Sequence, residues 1–152
     1  MSITARHKKP GGFKKLVNSL ETTVLEKRTS ILEAMRKEDP DFVSEVEQCI
    51  FNFEEFININ DLVVAEIIAA FQKEMKTVAV ALYKCSDKAL LEKFTKNMIA
   101  PAMRAMREEQ ETLEQVRLNE QVGARFRIIA KARELEQRGS FQLKRYSQVY
   151  KD

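Results

Sequence analysis

At 152 residues the chain holds one domain or two small helical units, enough for a modest core and too little for a large cofactor crevice. Its 44% hydrophobic and 32% charged residues, with four glycines and no tryptophan, suit amphipathic helices rather than a disordered chain. With 26 basic and 23 acidic residues the net charge is only +3, so no global field points to nucleic acid and any electrostatic role is local.

Residues 1–12, "MSITARHKKPGG", are basic, lack an apolar period and end in Pro-Gly-Gly, the pattern of a flexible arm. A solubilising tail accounts for its lysines better than contact with acidic lipid or RNA. From Phe13 the pattern changes: Phe13, Leu16, Val17 and Leu20 recur at the spacing of one buried helix face. Thr23 and Glu26 fit a capping box ahead of a second helix, with Leu25, Arg28, Leu32 and Met35 in line and Val24 and Ile31 widening the stripe. Asp39 as cap and Pro40 at the first helical position predict a third helix that buries Phe42, Val43, Val46 and Ile50.

The stretch "CIFNFEEFININD" is dense in Phe and Ile without a helical or alternating period, and reads as a packed connector. After it, Asn60 or Asp61 caps "LVVAEIIAAFQKEM", Thr77 caps "VAVALYKC", and Ser86 caps "DKALLEKFTKNM" with Leu90, Phe94 and Met98 aligned. Pro101 belongs in the first turn of a helix that begins near Ile99 or Ala100, because a proline further in would break a backbone hydrogen bond. Asn119 is placed to cap the last long helix, whose Val122, Phe126 and Ile129 share a face, and Gly139 suits the left-handed residue just past its end. "SFQLKRY" alternates like a short extended segment. The expected organisation is all-α: an arm over 1–12, an armadillo-like helical unit over 13–50, a hinge or connector over 51–59, a helical subdomain over 60–143 and a tail over 144–152.

Little here suits catalysis. His7 is the one histidine, which removes a His-based triad, an HExxH zinc motif and paired ExxH metal motifs. The acidic clusters "EDPD" and "EEQE" lack calcium-loop spacing, and Gly11-Gly12 fits no phosphate-binding fingerprint. Cys49 and Cys85 form no CxxC and read as reduced thiols whose ordinary job is core packing. Apolar runs stop well short of the roughly 20 residues of a membrane span. What remains is charged surface. In "RAMREEQETLEQVRL", Arg104 and Glu108 stand one helical turn apart while Glu109 and Glu111 broaden an acidic end. Spacing alone leaves two readings open, a solvated helix face or a surface that meets a charged partner.

Several motifs occur in a familiar order. "GGFKKLV", "LEKRTSILEAMRKEDPDFVSEVEQCIFNFEEF", "ALYKCSDKALLEKFTKNM", "REEQETLEQVRL" and "ARELEQRGSFQL" resemble, over about residues 11 to 143, the C-terminal part of the flagellar motor switch protein FliG family. The resemblance implies an armadillo unit joined by a Met-Phe-x-Phe hinge to a terminal subdomain, the hinge falling on Ile50, Phe51, Asn52 and Phe53. It implies a charged torque helix facing the cytoplasmic loop of the stator protein MotA, with Lys84, Glu108, Glu109 and Arg117 keeping the sign of four family charges. A fifth, normally arginine, falls on Pro101, and Arg104, one turn along, is the candidate to replace it.

The family also stacks its armadillo unit on a neighbouring subunit. Phe13, Leu16, Val17, Leu20 and Leu25 are candidates for that docking face, and an intramolecular core explains them equally well. Implied partners are MotA and other switch subunits, FliG itself foremost and FliM left open, with no cofactor, metal, nucleic acid or small-molecule substrate. The implied place is the cytoplasmic face of the inner membrane, reached through partners. Departures include Glu114 and Gln115 where the family has Gly-Pro, and Cys85 where a glycine usually follows the lysine. The family's N-terminal and middle domains are not in this sequence. A truncated paralogue that binds the rotor without generating torque is the rival expectation.

Overall fold

A computed structural model describes residues 2–150. Eight α-helices follow in chain order among the described residues: α1 Gly12–Glu21, α2 Leu25–Glu38, α3 Pro40–Cys49, α4 Asp61–Ala69, α5 Met75–Ala81, α6 Lys88–Thr95, α7 Ala100–Thr112 and α8 Leu118–Gln137. Short 3-10 turns occupy Ala5–His7 and Phe53–Asn58. The chain divides into two compact units, one of residues 1–51 with 144–152 and the other of residues 52–143.

Unit 1 is held by the apolar stripes that the spacing predicts. Phe13, Leu16, Val17 and Leu20 of α1 close on Leu32 and Met35 of α2, Phe42, Val43 and Val46 of α3, and Ile50. Asp39 accepts a hydrogen bond from the Phe42 N–H and Pro40 opens α3, satisfying one of the donors that a helix start leaves unpaired. The Thr23 capping box does not form. Val24 is the N-cap of α2 without a side-chain bond, because the Thr23 hydroxyl donates to the Ser19 carbonyl at 2.7 Å.

The expected flexible arm and the described part of the tail are both packed. Thr4 is buried, and its N–H, its hydroxyl and the Ile3 N–H all donate to the Glu38 carboxylate at 2.6–3.1 Å, so residues 2–9 lie against the end of α2 instead of forming a flexible arm. Lys8 adds an ion pair to Asp39 at 2.5 Å. At the other end, Tyr150 stacks on Phe13 with centroids 5.4 Å apart and meets Phe42 edge-on at 5.1 Å. Ser147 donates to Glu45 and Tyr146 to Asn18, so residues 144–150 are part of unit 1, and no extended strand forms among the described residues.

Unit 2 begins with an Asn52–Glu55 capping box on the turn Phe53–Asn58. Phe53, Phe56 and Phe94 form an aromatic triangle with every centroid separation at 5.3 Å. Asn60 caps α4 and Asp87, one residue beyond Ser86, caps α6. Thr77 is buried within α5, and Arg117 stands at the N-cap of α8 in place of Asn119. The buried stripe of α8 runs through Ala124, Ile128, Ile129 and Ala132, with Val122 and Phe126 only half-buried. Gly139 closes the helix at φ 84°. Among the described residues, no helix is long and apolar enough to cross a membrane.

Candidate functional site

The surface around α7 is built outward from α5. This helix is only seven residues long, and side chains of its two neighbours satisfy its terminal carbonyls. Gln110 of α7 donates to the Ala79 carbonyl at 3.0 Å. From α8, Gln121 donates to the Tyr83 carbonyl at 2.8 Å, and Arg125 Nε donates to the Ala81 carbonyl at 3.0 Å. Arg125 thereby places a cation at the negative end of α5 while its guanidinium lies 4.8 Å from the Phe53 ring centre. The Tyr83 hydroxyl, donating to the Leu113 carbonyl at 3.3 Å, fixes the exit of α7.

Helix α7 follows the N-cap Ile99, which makes no side-chain cap bond, and holds Pro101 in its first turn, as the proline requires. Met106 is its one fully buried residue, so most of its circumference faces outward. Arg104, Arg107, Glu108 and Glu111 are exposed and Glu109 is half-buried. Among the described residues, none of these five makes an ion pair, even though Arg104 and Glu108 are one turn apart. The order of charge is unfavourable to the helix itself. Its first turn carries no acid and its last turn no base, so cations precede anions along an axis that prefers the reverse. Only Glu109 and Glu111 lie in the last turn, where an acid costs the helix roughly 0.3–1 kcal/mol, and packing on α5 makes up the difference.

Lys84 and Arg117 extend this surface. Lys84 is exposed, holds φ at 49° in the left-handed region, and sets its ammonium 5.5 Å from the Tyr83 ring centre. It lines one shallow pocket with Glu114, Gln115 and Val116, which joins it to the loop that leads out of α7. Arg117 follows that loop, is 77% exposed and lies 4.0 Å from Glu120. Glu108 and Glu109 stand within one turn of Thr112, where α7 ends and the loop begins. Arg104 sits in the opposite half of the helix. Sequence reasoning passed over Arg107, three residues after Arg104 and likewise exposed, and treated Glu114 only as a departure from Gly-Pro.

The two other groups of expected residues lie elsewhere. Ile50 and Phe51 belong to unit 1 and Asn52 and Phe53 to unit 2, so the unit boundary falls inside that quartet. The expected docking face is altered. Phe13, Leu16, Val17 and Leu20 are at most 7% exposed because α2, α3 and Tyr150 cover them, whereas Leu25 is 69% exposed and stands apart beside Val24. What the α1 stripe leaves accessible is the edge of an apolar groove formed by Leu16, Leu20, Ile31 and Met35 and rimmed by Arg6, Lys9 and Lys15.

A family model described as the FliG C-terminal domain matches residues 33–143. This chain belongs to the FliG C-terminal domain family. Flagellar motor switch protein FliG of Pseudomonas aeruginosa is 28% identical over 136 residues, covering 88% of this chain and 38% of that protein. FliG of Thermotoga maritima is 28% identical over 130 residues, covering 86% and 37%. The chain thus spans under two-fifths of the length of these FliG relatives. Among solved structures, FliG residues 86–343 from H. pylori superposes with a TM-score of 0.64 at 22% identity, over 89% of this chain and 62% of that one. Full-length FliG from Aquifex aeolicus gives 0.55 at 25% identity, over 88% and 41%. The all-α, armadillo-like fold agrees with both.

Proposed function

We propose that this chain is a non-catalytic contact module of the flagellar motor switch, working in motility and chemotaxis at the cytoplasmic face of the inner membrane. In this reading α7 engages the cytoplasmic loop of the stator protein MotA through Arg104, Glu108 and Glu109, with Lys84 and Arg117 at its flank. The observation that carries the reading is the charge order of α7. Among the described residues, Arg104, Arg107, Glu108, Glu109 and Glu111 make no ion pair, and the two acids in the last turn, Glu109 and Glu111, oppose the helix dipole instead of stabilising the helix that bears them.

Exposed charge pairs are worth about 0–1 kcal/mol each and are screened over roughly 8 Å at physiological ionic strength. Weak, quickly exchanged contacts of that kind suit a surface that must engage and release repeatedly. Arg104 supplies the positive charge that Pro101 cannot. The test is Glu108→Lys combined with Glu109→Lys in the full chain, titrated against a MotA cytoplasmic-loop peptide at two salt concentrations. Loop binding should be lost while the melting temperature holds or rises, because lysines near the end of α7 suit its dipole. Unchanged binding by the folded variant refutes the stator-contact reading.

Pro101 favours a second reading, a rotor-bound adaptor that docks other FliG subunits by the α1–α2 groove and generates no torque. It expects the chain to form a complex with a middle-domain fragment of a full-length FliG. It also expects Glu108→Lys with Glu109→Lys to leave that complex intact.

A further inference from the structure

The chain passes between its two units twice, at Phe51–Asn52 and again at Leu143–Lys144. Each passage is a single peptide link with its flanking groups held. On the unit 1 side, the Phe51 N–H donates to the buried Glu21 carboxylate at 2.7 Å, and the Ile50 carbonyl accepts from Lys144 Nζ at 2.7 Å. That second bond places the return of the chain beside its departure, within unit 1. On the unit 2 side, the Asn52 N–H donates to Glu55 at 2.7 Å. The Leu143 N–H donates to Glu136 at 2.6 Å, and Glu136 is itself paired with the buried Arg133 at 2.9 Å.

Residues 144–150 then run on into unit 1 and are fastened there by three side chains. Tyr146 donates to Asn18 at 2.8 Å beneath the Lys14 ammonium, Ser147 donates to Glu45 at 2.7 Å, and the Tyr150 ring fills the space between Phe13 and Phe42. Ser147 also accepts from the Val149 and Tyr150 N–H groups, which curls the segment onto its own anchor.

A joint made of one peptide link can swivel through the full range of a few backbone dihedrals. A joint made of two links cannot, since two fixed points define an axis and leave only flexing about it. We propose that residues 144–150 are a strap that doubles the hinge and confines unit 2 to flexing about the line through its two crossings. Large reorientation of unit 2 requires the strap to leave its seat on Phe13 and Phe42. This inference concerns the joint alone and does not depend on which partner α7 meets.

The experiment uses the full chain with Cys49→Ala and Cys85→Ser, and nitroxide labels at Lys37→Cys in unit 1 and Lys73→Cys in unit 2, both exposed positions. Distance distributions are read by pulsed electron paramagnetic resonance. Inserting ten Gly/Ser residues between Leu143 and Lys144 adds a slack of roughly 17 Å while leaving the strap seated. Slow exchange of the Tyr150 amide serves as the check that it remains so. The strap predicts a narrow distribution in the parent chain and at least about a twofold broadening, or a second population, on insertion. A chain ending at Leu143 should broaden likewise. If that truncated chain fails to fold, the insertion alone decides. A distribution no wider in the insertion chain than in the parent overturns the proposal.

Discussion

Phe53 is the residue of the hinge quartet whose replacement is most informative, because its ring belongs to the core of unit 2. It is 4% exposed, stacked on Phe94 at 7° between planes, set edge-on to Phe56, and covered by the Arg125 guanidinium. Phe53→Leu keeps most of the apolar bulk and removes the ring. Two aromatic pairs are worth about 0.5–1.5 kcal/mol each beyond buried area, and the guanidinium contact adds about 0.5–1 kcal/mol. The expected loss is therefore roughly 2–3 kcal/mol, short of the roughly 3–5 kcal/mol of truncation to alanine. Amide hydrogen exchange in rising urea reads the two units separately, through Leu90 and Phe94 for unit 2 and Val17 and Val43 for unit 1. The loss should fall on unit 2 alone. A loss under about 1 kcal/mol, or an equal loss in unit 1, refutes the assignment of Phe53 to the unit 2 core.

Gly12→Ala tests the seating of the N-terminal segment. A Cβ there would overlap the Arg6 carbonyl oxygen and stand 2.9 Å from His7 Cα, and backbone cannot swing aside as a side chain can. The turn Ala5–His7 must shift, so the Thr4 amide should exchange faster and the Glu38 carboxyl, held low chiefly by the Thr4 hydroxyl, should titrate closer to its ordinary range. Acid titration tests unit 2. Lys93, Asn97 and Lys96 hold the Asp61 carboxyl down from 3.8 to about 2. Between those values the unfolded chain binds the extra proton, so the contribution is complete above about pH 4 and lost as pH falls towards 2. Asp61→Asn should flatten the fall in unit 2 melting temperature across that window, and an unaltered slope would show that Asp61 does not set it.

How much of this was legible in the sequence depends on how far each residue's partner lies along the chain. Asp39, Asn60, Pro101 and Gly139 act within three residues of themselves, and the helix ends they mark stand where local chemistry puts them. Thr23, Thr77 and Ser86 satisfy the same local rules and fail because a competitor wins: a preceding carbonyl, burial inside α5, and the neighbouring cap Asp87, whose carboxylate accepts from the Leu90 N–H. The two chain-end segments were illegible for a different reason. Thr4 meets Glu38, and Tyr146 meets Asn18 at a separation of 128 residues, distances over which composition carries no signal. For the α7 surface, the sequence supplied the charges and their outward direction. It did not supply the lack of neutralising neighbours among the described residues, which depends on how α5, α7 and α8 pack.

The division at residues 51 and 144 makes unit 1 a host and unit 2 an insert within it. Residues 2 and 150 both lie in the host, so any longer polypeptide attached on either side would enter and leave there. The insert offers a neighbouring molecule only helices and closed loops. A load applied through the chain ends would enter the host first and could reach α7 only through the two links to the insert.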